Sequence, residues 1–307
     1  MSHTVLQPAV SVMPLEPATN APPAAPTVPA ARRKRLSPAR IGVYAFLFSA
    51  ALYFLLPLYV MIITSFKSMD EIRSGNVFAL PLFATVEPWK NAWSQVSGGF
   101  WNSVAITVPS TVIPILLGAV NGYALSFWKP RGANVLFGVL LAGAFIPVQV
   151  MIYPLVWMMA RAGVFGSLPA IVLVHVIFGM PIMTLLFRNY YASVPHELFQ
   201  AARIDGGGFW RIFLQVMLPM SLPIVVVAAI MQVTGVWNDY ILGLVFAGRD
   251  NAPMTVQLNN VINTTTGTRL YNVNMAATIL TAALPLAIYF ISGRWFVRGI
   301  AAGAVKG

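Results

Sequence analysis

Few residues in this chain are placed to do chemistry. Asp239, with Asn238 beside it, and His175 lie within long apolar stretches, and an ionisable group at membrane depth is costly unless it faces a cavity or a partner. Such groups bind polar cargo or pass protons. Asp239 reads equally well as an acid that caps a helix near the end of its stretch, and His175 as a hydrogen-bonded structural histidine. The amides of Gln149, Gln232 and Asn121 suit a polar pathway or hydrogen bonds between helices. Pro147 and Pro154 flank Gln149 and Tyr153, and carbonyls freed by proline beside polar side chains suit a water-filled cavity.

Other chemistries find no residues. His3, His175 and His196 are scattered and cysteine is absent, so no metal centre and no disulfide framework is expected. There is no G-x-x-x-x-G-K-S/T loop to cradle phosphates. No nucleophile, base and orienting residue fall together, so no catalytic residue is expected.

Membrane spans must position the polar groups. Hydrophobic residues make up 58% of the chain and charged residues 9%, with a mean hydropathy of +0.76, which excludes an ordinary soluble surface. A spanning helix needs about 20 apolar residues. Six stretches qualify, near 41–66, 101–128, 132–159, 168–188, 221–247 and 274–296. The expected fold is an all-α polytopic membrane protein with six transmembrane helices.

The net charge of +11 follows topology. Of the 19 Lys and Arg, 13 fall on the side shared by both termini and 6 on the other, which puts both termini in the cytoplasm by the positive-inside rule. The basic residues have no aromatic interleaving, so nucleic acid is not an expected partner. Residues 1–40 read as a disordered tail, rich in Pro and Ala and ending in Arg32-Arg33-Lys34-Arg35 and Arg40. Residues 41–300 form the membrane domain, with a cytoplasmic loop at 189–220, and 301–307 form a second tail. Of the two long outer loops, Lys67–Phe100 carries Trp89 and Trp93 and ends before Trp101, which read as interfacial anchors. Gly248–Val273 carries Gln257, Asn259, Asn260, Asn263, Thr264, Thr265 and Thr266, and reads as a docking segment or as a solvated loop.

In the inner loop, Ser193 is expected to cap a short helix that contains Pro195 and Glu197 in its early turn and runs to about Ile204. Leu198, Phe199, Ala201 and Ala202 give it an apolar, small-residue face, and Gly206-Gly207-Gly208 stops it. A helix this short needs something to pack against. One alternative is a connector lying on the bilayer, but small Ala residues, Asp205 and three glycines make a poor anchor.

Glu197-Leu-Phe-Gln200-Ala201-Ala202-Arg-Ile-Asp205-Gly206, followed after nine residues by Val216-Met-Leu218-Pro219, resembles the E-A-A-x-x-D-G-x9-I-x-L-P loop of binding-protein-dependent ABC importers. Thr64-Ser65-Phe66-Lys67, Trp237-Asn238-Asp239-Tyr240 and the ending Ala302-Gly303-Ala304-Val305-Lys306-Gly307 are similar to the six-span permease of the maltose-type carbohydrate importers. The resemblance implies a type I ABC importer permease fold in a bacterial inner membrane. It also implies a homologous sister permease, two copies of an ATP-binding subunit and an extracytoplasmic solute-binding protein. ATP and Mg belong to the ATPase, and this chain itself needs no cofactor. Glu197, Gln200, Ala201, Ala202, Asp205 and Gly206 would form the ATPase dock, with Gln200 where the family usually carries Glu, which leaves a hydrogen bond in place of a charged contact. The C-terminal tail would reach between the ATPase subunits. The 248–273 segment would enter the binding protein's sugar cleft, and its Gln257–Gly267 wording looks like the glucose/mannose branch. The rival readings are a transporter driven by an ion gradient, with Asp239 and His175 as proton carriers, and a membrane-embedded enzyme.

Overall fold

The computed structural model describes residues 38–264 and 267–304, with side chains through Gly293. The expectations for the tails at 1–37 and 305–307, and for Thr265 and Thr266, lie outside the described residues. The chain divides into two compact units, 1–53 and 54–307. All regular elements among the described residues are helical. Among the described residues, four helices are long and apolar enough to span a membrane, and the total is six if each of two bent pairs counts as one span.

The helix α1 (Pro38–Ser65) has 28 residues. The short α2 (Met69–Arg73) is closed by a capping box, in which Glu71 N–H donates to Ser68 Oγ and Ser68 N–H donates to Glu71 Oε2. The helix α3 (Glu87–Tyr123) begins fourteen residues before the expected start of the second span. Pro88 in its first turn and the Thr85 hydroxyl, which accepts the Glu87 N–H at 3.2 Å, explain the early start. Trp89 and Trp93 therefore lie on a helix rather than in a loop. Trp89 packs on Phe66 with ring centroids 5.3 Å apart, whereas Trp93 and Trp101 stay exposed as anchors would. A π-helical turn, Ala124–Trp128, ends this long rod.

The expected third span is broken. The helices α4 (Ala133–Ala144) and α5 (Val148–Arg161) meet at 100°, because Pro147 disfavours helical angles at the residue before it. The helix α6 (Leu168–Ala192) runs parallel to α3 in close contact. A Cβ on Gly118 would come within 2.6 Å of Met183 Cβ, and one on Gly122 within 2.6 Å of the Arg188 nitrogen. Two glycines four apart let the backbones meet, as small residues do between helices in membranes.

Next come α7 (His196–Ile204), α8 (Phe209–Ile212), a π-helical turn at Phe213–Met217 and α9 (Leu218–Met220). The chain then bends by 75° into α10 (Leu222–Trp237). The fifth span was expected to continue to 247, but the helix ends at Trp237, and Asn238, Asp239 and Tyr240 form a break before α11 (Ile241–Phe246). The long polar segment folds partly into α12 (Met254–Ile262) before α13 (Tyr271–Ala304).

Among the described residues, three buried clusters organise the bundle. One, near α7, centres on Tyr123, Phe187, Tyr191, Phe199 and Phe213. A second joins Leu155, Met159, Ile171, Val174 and Phe246. The third joins Ala92, Val96, Trp237, Met254 and Ala276.

Candidate functional site

The α7 loop is built from its ends inward. Ser193 does not cap α7; it closes α6, its hydroxyl donating to the Tyr190 carbonyl at 2.7 Å. Pro195 starts α7 instead, since its fixed φ of −55° suits a helix entrance and it has no N–H to leave unpaired. At the other end Gly206 has φ +77°, with open space where a Cβ would sit, so only its backbone angle requires glycine. Gly207 is needed for a different reason: a Cβ there would lie 2.5 Å from the Ala202 carbonyl oxygen.

One face of α7 is held by aromatic packing. Phe199 is 7% exposed, stacks on Phe127 at 4.8 Å and meets Trp128 edge-on at 5.8 Å. His196 stacks on Phe199 at 5.7 Å, and the Arg203 guanidinium lies 4.6 Å from the Trp128 ring centroid. Glu197, Leu198, Gln200, Ala201, Ile204 and Asp205 remain exposed, with Ile204 86% so. Ala202, expected beside Ala201, instead packs half-buried against the chain's own core and lines a recess of about 150 Å³ with Asp205, Gly207 and Arg211. A second recess of about 550 Å³ lies between Phe127, Trp128, Gln200, Arg203 and Ile204.

Two tyrosines tie the loop to the next span. The Tyr190 hydroxyl donates to the Met220 carbonyl, and Tyr191 donates to Ser221 Oγ at 3.4 Å. Both contacts fall on the 75° bend. Tyr123 adds a hydrogen bond to the Phe209 carbonyl at 3.3 Å. Sequence reasoning missed these residues, because aromatic residues in an apolar run give no signal that distinguishes a clamp from filler.

Of the expected polar pathway, the structure unites one pair. His175 Nε2 lies 3.9 Å from Asp239 Oδ2. That same oxygen accepts the Gly243 N–H at 2.9 Å, and the Asp239 carbonyl accepts the Thr255 hydroxyl at 2.7 Å. Asp239 thus caps α11, one of the two roles its position allowed. Asn238 is exposed. Gln149 and Tyr153 do not join the pair: four residues apart on α5, they share an exposed face, Tyr153 being 78% exposed, while Leu155 and Met159 make the buried contacts.

The 248–273 segment is anchored more than expected. Gln257 Oε1 accepts the Gly99 N–H at 2.8 Å, Asn102 donates to the Asp250 and Ala252 carbonyls at 3.1 and 3.2 Å, and Ser103 Oγ accepts the Met254 N–H at 2.8 Å. Gln257 is therefore a pin. Asn263 donates to Asn259 Oδ1 at 2.8 Å, and Asn260, Asn263 and Thr264 are exposed at the tip.

The sequence profile of the binding-protein-dependent transport system inner membrane component matches residues 110–302. The chain belongs to that family. This inner membrane component is similar to the alpha-glucoside transport system permease protein AglG of Rhizobium meliloti (strain 1021), 34% identical over 257 residues that cover 80% of this chain and 67% of the relative. It is 30% identical to the glucose import system permease protein GlcU of Saccharolobus solfataricus (strain ATCC 35092 / DSM 1617 / JCM 11322 / P2) over 273 residues, covering 86% and 95% of the two chains. Its fold is that of a chain in the crystal structure of a bacterial ABC transporter involved in the import of the acidic polysaccharide alginate, with a TM-score of 0.74, 19% identity and coverage of 83% and 95%. The permease is thus an all-helical, integral inner membrane transport subunit with an ABC importer fold.

Proposed function

We propose that this permease carries a sugar, an aldohexose such as glucose or mannose, across the inner membrane by alternating access driven by a separate ATPase. The observation that carries the reading is α7: a nine-residue helix, His196–Ile204, fixed on one face by Phe199 and offering Glu197, Leu198, Gln200, Ala201, Ile204 and Asp205 on the other. A short helix with an unpaired apolar and small-residue face fits a cleft in a partner. Gly206 sets the turn that follows, and Ala202 supports the helix from within.

Two ATP-binding subunits would supply ATP and Mg, one of them seated on α7, and a homologous permease would complete the pore. The excess of Lys and Arg on the α7 side supports cytoplasmic termini. At the opposite end the exposed tip with Asn260, Asn263 and Thr264, with Asn259 before them and Thr265 and Thr266 next in sequence, would meet an extracytoplasmic solute-binding protein. Amide and hydroxyl groups there can make the hydrogen bonds that a sugar makes. The relatives named for alpha-glucoside and glucose transport support a neutral sugar, as does the small number of charges at membrane depth. The Asp239–His175 pair and the exposed Asn238, Gln149 and Tyr153 are the candidate polar lining of the route.

Copurification of an ATPase with the tagged chain, followed by uptake of labelled glucose, mannose, xylose and maltose into proteoliposomes, tests the proposal. An ATPase partner and ATP-dependent aldohexose uptake are expected. Absence of the ATPase overturns the coupling, and uptake of other sugars alone overturns the cargo.

A further inference from the structure

Proline removes a backbone N–H and so orphans the carbonyl four residues before it. In α3, Pro114 orphans the Ser110 carbonyl; in α13, Pro285 orphans that of Thr281. Both carbonyls are served from one neighbouring helix. Gln232 Nε2 of α10 donates to the Ser110 carbonyl at 3.1 Å, and Trp237 Nε1 of α10 donates to the Thr281 carbonyl at 2.9 Å. Positions 232 and 237 differ by about 140° around a helix of 3.6 residues per turn, so α10 reaches two neighbours at once.

The surroundings are shaped for these contacts. Gln232 lies against Gly179 of α6, where a Cβ would come within 2.4 Å of its Nε2, so the passage of the amide requires glycine there. Trp237 is 1% exposed. A carbonyl without a donor in an apolar medium is expensive, and proline positions survive in membrane helices where a neighbour supplies the missing bond. Supplying it from another helix also ties the proline position to that helix.

The position of α10 matters for transport. Its start is the 75° bend held by Tyr190 and Tyr191, through which it continues from α8, α9 and the α7 loop. Its end is the Asn238–Tyr240 break, where Thr255 of α12 holds the Asp239 carbonyl. One helix thus joins the α7 end of the bundle to the opposite end, with its two donor side chains along the way.

We propose that Gln232 and Trp237 are positioning residues for transport: they latch the proline hinges of α3 and α13 to α10, so that movement at α7 is converted into bending of those two helices. The inference rests on the permease reading and on no particular cargo. If the prolines were only tolerated and the donors only satisfied them, restoring the backbone N–H would be harmless. If the prolines are hinges, it would stiffen the helix and impair movement.

The test uses the complete transporter in proteoliposomes. Pro114→Ala returns an N–H to the Ser110 carbonyl; it is expected to raise thermal stability and yet to lower transport per ATP hydrolysed about fivefold, the scale of one interhelical hydrogen bond in a bilayer. Gln232→Leu is expected to lower transport similarly, and the double variant to assemble as the parent does without regaining transport. Pro285→Ala and Trp237→Phe form the second pair. The chain has no cysteine, so Trp101→Cys and Leu117→Cys, both exposed and on either side of Pro114, accept spin labels about 24 Å apart. Their distance should change between nucleotide-free and ATP-trapped states, and should stop changing in Pro114→Ala. Full transport in Pro114→Ala, or in the double variant, overturns the latch, as does a label distance that is the same in both states of the parent protein. Loss of assembly in Gln232→Leu leaves the Pro114→Ala outcomes to decide it, and a wrong cargo or ATPase partner would be revealed separately in the parent complex.

Discussion

Phe199 stacks on Phe127 with ring centroids 4.8 Å apart and planes 28° from parallel, and this contact fixes α7 to the π-helical end of the α3 rod. The outer face of α7 is displayed because its inner face is anchored. Phe199→Ala should cost about 3 kcal/mol or more, as for other buried aromatic truncations, and should release α7 while leaving Leu198 and Ala201 unchanged. Amide exchange across 196–206 would rise and uptake would fall sharply. Unchanged exchange there would show that the stack does not hold the helix.

The turn after α7 makes a finer prediction. At φ +77° a side chain at Gly206 is strained by about 1–2 kcal/mol, although nothing stands within 4 Å of its Cβ position. Asn tolerates this region and Val does not, so Gly206→Asn should retain most uptake and Gly206→Val should lose most of it. Ala201→Asp leaves the fold intact and places a charge on the exposed face. It should abolish ATPase retention while the permease stays in the membrane; normal retention in Ala201→Asp would sink the docking assignment.

Much of this was legible in the sequence for identifiable reasons. The end of α7 near Ile204 was legible from the Gly206–Gly208 run, because glycine acts on the backbone itself, whereas a start at a Ser193 cap comes too early, because a serine hydroxyl suits the end of one helix as well as the start of the next. The breaks in the third and fifth spans were not legible, since an apolar run reads alike whether straight or bent by 100°. Pro147 was visible, but other helix-interior prolines, such as Pro57 and Pro109, lie in unbroken helices. In the α12 segment the Asn and Thr residues read as a docking or solvated loop, and its anchoring goes unread: Gln257 pairs with a backbone N–H 158 residues away. Such partners are invisible to local pattern.

The segment after α2 gives a pH prediction. The Glu71 carboxylate accepts the Leu82 N–H at 2.6 Å and the Ser68 N–H at 3.1 Å, which holds its pKa below the ordinary value. A carboxylate with a lowered folded pKa stabilises the fold above its unfolded pKa, about 4.3, and that contribution is lost as the pH falls through the folded value. Protection of the Leu82 amide should therefore persist at neutral pH and disappear on the acid side of the ordinary carboxylate range. Glu71→Gln should make it independent of pH over that range; a pH-dependent amide in Glu71→Gln would assign the effect elsewhere.

Asp239 separates capping from charge. Asparagine keeps an oxygen to accept the Gly243 N–H now held at 2.9 Å and removes the charge facing His175. Asp239→Asn should lower uptake only a few-fold and leave its pH profile in place, since a neutral acceptor still caps α11, at roughly half the strength of a charged one. Complete loss with a shifted pH profile would instead favour proton coupling through Asp239 and His175.

The outermost tip and its pin should behave differently. Gln257 binds the Gly99 backbone, and Asn102 and Ser103 bind the residues just before and at the start of α12, so these groups hold the base of the segment. Removing the pin by Gln257→Ala leaves a part-buried N–H and amide environment disturbed and should lower thermal stability by about 1–3 kcal/mol. Shortening the chain between Asn263 and Arg269 touches none of those bonds. That deletion should leave stability and ATPase retention at the parent level while blocking delivery from the loaded binding protein, read as loss of both uptake and binding-protein-stimulated ATP hydrolysis. Parent-level uptake by the shortened permease would remove the tip from the docking surface and leave α12 as a purely structural brace against α3.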